Sequence, residues 1–268
     1  EVKDTQKMIF ELLAADQPCK EKHPDPQSKF WNWSHKLGAD ETQFPKNKVI
    51  KRDISHPSMH VNLEACINCN LCVRACRDVQ SNDVIGMANR GHNSKVIFDF
   101  DDEMGASSCV GCGECVQACP TGALMEKSLL NSDGSREVFS DKIVNSLCPY
   151  CGVGCQTKVF VKNNKIVQVD GRDGPANNQK LCVKGRFGYD YIHDDGRLTK
   201  PLIRKKGVVK KKIDNYKSLK IEDYFREATW KEVIDLSAKK LKSIKDVSGS
   251  SAVCCLLYTS DAADDDHC

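Results

Sequence analysis

The sequence predicts an α+β chain built from small modules gathered round cysteines, in place of one large apolar core. Twelve of its sixteen cysteines fall into three quartets. Hydrophobic residues make up 40% and aromatics only 7% of 268 residues, which is lean for a single core of that size and suits modules that metal binding holds together. Short stretches with helical or strand periodicity alternate with Gly-, Asn- and Pro-marked turns.

The elements follow in order. Residues 1 to 16 read as a helix with Ile9, Leu12 and Leu13 on one face. This helix opens a helical and irregular connector over 1–62. From residue 17 the connector loses its periodicity and holds five of the nine prolines (Pro18, Pro24, Pro26, Pro45 and Pro57). Within it, Phe30, Trp31, Trp33 and Leu37 mark a short docking helix. A compact module is expected over 63–126, with a strand at Val96-Ile97-Phe98 between two cysteine loops. Ser132-Asp133-Gly134-Ser135 reads as a turn or linker. A further module begins at Asp141 and extends to about 200. In it, Lys158–Val161 and Ile166–Val169 flank Asn163-Asn164, the signature of a tight hairpin. Turns at Asp170-Gly171 and Asp173-Gly174-Pro175 return the chain toward Cys155. Residues 201–253 begin another domain, with an amphipathic helix over 230–245 carrying Val233, Leu236, Leu241 and Ile244. The basic run 197–212 reads as a solvated surface. The tail 254–268 resembles translated adapter sequence, so Cys254, Cys255 and Cys268 are set aside.

A net charge of +3 is too small to argue for nucleic acid as a partner. No apolar run approaches the ~20 residues that a membrane-spanning helix needs, and no secretory leader is visible. Clustered thiols in a chain of this length favour metals over disulfides, and the expected location is cytoplasmic.

The first quartet is Cys66-x2-Cys69-x2-Cys72-x3-Cys76. The second, Cys109-x2-Cys112-x2-Cys115-x3-Cys119, is followed at once by Pro120. Three thiolates at x2 intervals wrap an iron–sulfur cube, and in two-cluster ferredoxins the fourth cysteine of each run serves the other cluster. That rule assigns Cys66, Cys69, Cys72 and Cys119 to one 4Fe–4S cluster. It assigns Cys109, Cys112, Cys115 and Cys76 to another. Structural zinc favours two separated C-x2-C pairs and does not explain the third cysteine of each run. Gly111, Gly113, Ala118, Thr121 and Gly122 let backbone amides approach the sulfurs. Arg77 stands where a simple ferredoxin has proline.

The third quartet is Cys148-Pro-Tyr-Cys151-Gly-Val-Gly-Cys155, closed by Cys182-Val-Lys184-Gly-Arg186. It resembles the N-terminal cluster domain of molybdenum or tungsten bis-pterin oxidoreductases, and within that group the catalytic (alpha) subunit of formate dehydrogenases. The likeness runs through Asp170-Gly-Arg-Asp-Gly-Pro-Ala-Asn177, Gly188-Tyr-Asp-Tyr-Ile-His193 and Arg197–Arg204, and includes His56-Pro57 and Asn82–Met87. The resemblance implies a two-cluster ferredoxin-like module followed by a small hairpin-rich 4Fe–4S domain, truncated before the main pterin-binding α/β domains.

It further implies that Cys148, Cys151, Cys155 and Cys182 hold a third 4Fe–4S cluster, and that Lys184 lies between this cluster and a Mo- or W-bis-pterin guanine dinucleotide. The implied reaction of the intact parent is oxidation of formate to carbon dioxide. Electrons would pass to an acceptor subunit of flavin-bearing, NADH-oxidising or hydrogenase type. No catalytic residue of the family falls within this sequence, so the stretch alone is not expected to turn over formate. Many relatives carry, upstream, a cluster held by one histidine and three cysteines; here Cys19 and His23 alone remain, and no such cluster is expected. A subunit like the large iron–sulfur protein of complex I is the alternative, and a free polyferredoxin carrier is another.

Overall fold

The computed structural model describes residues 1–46, 50–208 and 220–253. The tail from 254, with Cys254, Cys255 and Cys268, and Lys210, Lys211 and Lys212 of the basic run lie outside the described residues. The chain divides into two compact units, Glu1–His193 and Asp194–Cys268.

The first unit opens with α1 (Val2–Ala14) and α2 (Lys29–Leu37). Ser28 caps α2, its hydroxyl accepting from Trp31 N at 3.3 Å, and Gly38 closes it in the left-handed conformation. The face of α1 that docks is Phe10, Leu13 and Ala14, which pack with Phe30, Trp31 and Ile67. Of the face expected from periodicity, only Leu13 turns inward; Ile9 and Leu12 are about half exposed. The partner helix presents Phe30 and Trp31, and Phe10 stacks on Phe30 at 5.6 Å. That ring pair sets the rotation of α1.

The ferredoxin-like module is mixed helix and sheet. Its elements are β1 (Met59–Val61), α3 (Leu71–Arg74), β2 (Ile85–Ala88), β3 (Lys95–Phe98), α4 (Glu114–Ala118) and β4 (Leu124–Glu126). Antiparallel β1 and β4 pair Met59 with Glu126, and β2 pairs with β3 from Ile85↔Phe98 to Ala88↔Lys95. The strand expected at 96–98 is therefore one of four. The core between the pairs includes Met59, Val73, Val84, Phe98, Met104 and Val116, with Cys72, Cys76 and Cys115 buried among them. Thiols thus fill volume that apolar side chains occupy in a larger core.

Residues 131–135 form a packed turn and not a loose linker. Asp133 Oδ1 accepts from Ser135 N at 3.0 Å and Oγ at 2.6 Å, and Asn131 N donates to Ser135 O at 2.9 Å. The chain then enters a three-stranded antiparallel sheet, β5 (Lys142–Leu147), β6 (Gln156–Lys162) and β7 (Lys165–Gly171), in the order β5-β6-β7. Asn163 and Asn164 take φ of +48° and +60°, the double left-handed turn that the right-handed twist of a hairpin favours. Helix α5 (Val183–Phe187) follows Cys182 directly.

The second unit contains an antiparallel pair, β8 (Leu202–Arg204) with β9 (Phe225–Glu227), the short α6 (Ile221–Tyr224) and α7 (Trp230–Ser248). Thr229 caps α7 through Glu232 N at 3.2 Å. Val233 and Leu236 are half-buried, whereas Leu241 and Ile244 are exposed. No helix among the described residues is long and apolar enough to cross a membrane.

Candidate iron–sulfur sites

The two ferredoxin-type runs use the same loop geometry with different residues. In the second run Gly111 and Gly113 take φ of +67° and +70°; in the first, Asn68 and Asn70 take +52° and +61°. Asparagine tolerates the left-handed region better than other residues with a β-carbon. Each first turn points an amide at sulfur. Asn68 N donates to Cys66 Sγ and Gly111 N to Cys109 Sγ, both at 3.4 Å. Val84 N donates to Cys76 Sγ at 3.4 Å, and Thr121 Oγ1 lies 3.6 Å from Cys119 Sγ. Sequence reasoning found the glycines and Thr121 but missed Asn68 and Asn70, whose pairing with Gly111 and Gly113 appears once the two runs are aligned.

The runs end differently. Pro120 removes a donor and forces Cys119 into extended backbone (φ −68°, ψ +121°), ending α4. Without that proline, the first run continues past α3 in a wide turn over Ala75–Val79, and Arg77 pairs with Asp83 at 2.6 Å on the surface.

The fold brings the fourth cysteine of each run to the other run. Cys66, Cys69, Cys72 and Cys119 line one pocket, partly open to solvent. Cys76, Cys109, Cys112 and Cys115 line a second. All thirteen cysteines of the described residues are free thiols. Burial pushes the Cys66 thiol up to about 11 and Cys72 to about 12, with the neighbouring sulfurs of the same set raising each further. Burial drives Cys115 well above the thiol range. Such thiols ionise only when a cationic core takes the charge. Four soft sulfurs spread round a cavity, with amides aimed at them, fit a multi-iron cube.

Three cysteines of the third quartet lie in the connection between β5 and β6, and Cys182 immediately precedes α5. Cys148 N donates to Cys155 O at 2.8 Å, closing the loop. Cys155 feels the charges of Cys148, Cys151 and Cys182, although burial is the first cause of its raised pKa. Asn177 organises the return of the chain. Its Oδ1 accepts from Gln156 N at 3.0 Å, and its Nδ2 lies 3.0–3.2 Å from the carbonyls of Gln156, Arg172 and Lys180. Gly171 allows this close approach, since a β-carbon there would stand 1.9 Å from Gln179 O. Lys184 is exposed and, with Cys148, Tyr150 and Gly185, lines an open pocket of about 250 Å³.

Upstream, Cys19 is exposed and His23 fully buried. His23 Nδ1 accepts from Asp25 N at 3.0 Å, and Nε2 faces Gln17 Oε1 at 3.0 Å. Both ring nitrogens are engaged inside the protein.

Residues 65–123 match the 4Fe-4S dicluster domain family, and residues 141–194 match the molybdopterin oxidoreductase Fe4S4 domain. The chain belongs to the molybdopterin oxidoreductases. "Probable oxidoreductase YjgC" of Bacillus subtilis (strain 168) is 32% identical over 77% of this chain and 23% of its own length. "Putative formate dehydrogenase SAR2393" of Staphylococcus aureus (strain MRSA252) is 30% identical over 83% of the chain and 24% of its own length. "Putative formate dehydrogenase SH0748" of Staphylococcus haemolyticus (strain JCSC1435) is 30% identical over 79% and 24%. The chain thus spans about a quarter of the length of these relatives. A chain in the crystal structure of NAD+-reducing [NiFe]-hydrogenase in the H2-reduced state is similar at TM-score 0.42 and 22% identity, over 50% of this chain and 59% of that one.

Proposed function

We propose that this chain is the electron-relay part of a formate dehydrogenase catalytic subunit, carrying three 4Fe–4S clusters. The observation that carries the reading is the exchange of Cys76 and Cys119 between the two thiol-lined cavities. In this reading Cys66, Cys69, Cys72 and Cys119 hold the first station. Cys109, Cys112, Cys115 and Cys76 hold the second, and Cys148, Cys151, Cys155 and Cys182 the third. The clusters supply one-electron carriers; the chain supplies their spacing and potentials. Amide donors aimed at the sulfurs favour added negative charge at stations one and two, and burial of the sulfurs opposes it. In this reading Lys184, exposed and lining a pocket with Cys148, would lead charge between the third station and a Mo- or W-bis-pterin. An acceptor subunit of flavin or hydrogenase type would take the electrons in the cytoplasm.

Formate enters through the names of the relatives. Adding formate to the anaerobically isolated whole protein should bleach the visible absorbance of its clusters, at a rate proportional to the metal-pterin content. Clusters that bleach with dithionite but not with formate would remove that substrate and leave the relay.

A further inference from the structure

Arg186 is wholly buried, yet it carries a charge that the relay does not obviously need. It lies on α5, and its backbone N donates to Cys182 O at 3.1 Å. Its side chain reaches the second run, where Nε donates to Cys112 O at 2.8 Å. One residue therefore hydrogen-bonds the backbone of a cysteine in each of two quartets. The rest of the guanidinium is also satisfied: Nη1 donates to Asp170 Oδ1 at 2.9 Å, and Nη2 to Glu114 Oε2 at 3.2 Å and Gln117 Oε1 at 2.9 Å.

The second run makes room for it. A β-carbon at Gly113 would stand 2.1 Å from Arg186 Cδ, and the backbone there has φ of +70°. Gln117 also accepts from Gly171 N at 3.0 Å and donates to Gln179 O at 3.3 Å, while Gln80 donates to Leu181 O at 3.3 Å. The seam at Arg186 is buried and polar, each guanidinium nitrogen has a hydrogen-bond partner, and the planar fork suits it as an ammonium would not.

The geometry points to Arg186 as a positioning residue that fixes the second quartet against the third and sets the potential of the second station. This rests on the cluster reading above. A buried cation at Cys112 favours the more negative, reduced form of a cluster held there, and the carboxylate of Glu114 opposes it. An unpaired buried carboxylate is costly, so Arg186→Gln tests charge at some risk to folding. Glu114→Gln keeps the hydrogen bonds and changes charge in the other direction.

The test is a redox titration of each station by low-temperature paramagnetic resonance on anaerobically prepared protein. Arg186→Gln should lower the midpoint potential of the Cys76/Cys109/Cys112/Cys115 station more than those of the other two, and Arg186→Lys should restore part of the loss. Glu114→Gln should raise the same midpoint. Full iron content with unmoved potentials, or equal shifts at all three stations, would overturn the assignment. If Arg186→Gln fails to take up iron, the Glu114→Gln shift alone decides. A wild-type protein without three clusters would instead defeat the parent reading.

Discussion

At the residue scale, His23 shows what the N-terminal connector does. Burial lowers its pKa from 6.5 to about 4. The folded chain therefore keeps His23 neutral at a pH where the unfolded chain protonates it. The unfolded state binds the extra proton between pH 6.5 and 4, so stability is full above 6.5 and falls as pH drops through that window, by about 3 kcal/mol in all. Thermal unfolding of wild type and His23→Gln between pH 7 and 5 measures this. The variant should be less stable at pH 7 and show the flatter pH dependence; parallel curves would mean that His23 is not buried neutral. The same residue-level logic separates cysteines. Cys19, with no partner thiol in its stretch, stays an exposed thiol, whereas Cys72 and Cys115 are core residues.

At the element scale, loops do the work that helices do in larger cores. α4 has five residues and α3 only four before its wide turn, too short to be stable alone. The left-handed turns at Asn68, Asn70, Gly111 and Gly113 shape both runs. In the third module the corresponding device is the side chain of Asn177. Asn177→Ala strips a buried amide from four backbone groups, at about 1–3 kcal/mol for each group left without water. It should leave two clusters and lose the third, read as about a one-third fall in iron per chain with the ferredoxin-type signals intact. Uniform loss of all iron, or none, would contradict a local role. Much of this level was legible in the sequence. The quartet spacing, the Asn163-Asn164 hairpin, α2 and α7 follow from local turn chemistry and periodicity. The inward face of α1 was not legible, because Phe30 on another element decides it. Arg186 was not either: in sequence it is one arginine after a cysteine, and its bonds reach back 74 residues to Cys112 and 72 to Glu114.

At the scale of the whole molecule, the first unit carries all three cysteine quartets and is braced by contacts from both ends of the sequence it spans. The N-terminal segment lies on the Cys119 corner: Phe30 N donates to Pro120 O at 3.0 Å, and Asp25 fills the space at Gly122 where a β-carbon would come within 2.6 Å. The third module is clasped to the second run through Arg186 and Gln117, and to the end of the first run through Gln80. Distances from one end of the sequence to the other set this arrangement, and no local pattern announces it. Whether the sites hold iron cubes decides everything built on them. Iron and acid-labile sulfide should be counted per chain after anaerobic reconstitution. The account predicts about twelve of each, four per quartet. Zinc in place of iron, or iron without matching sulfide, would contradict it.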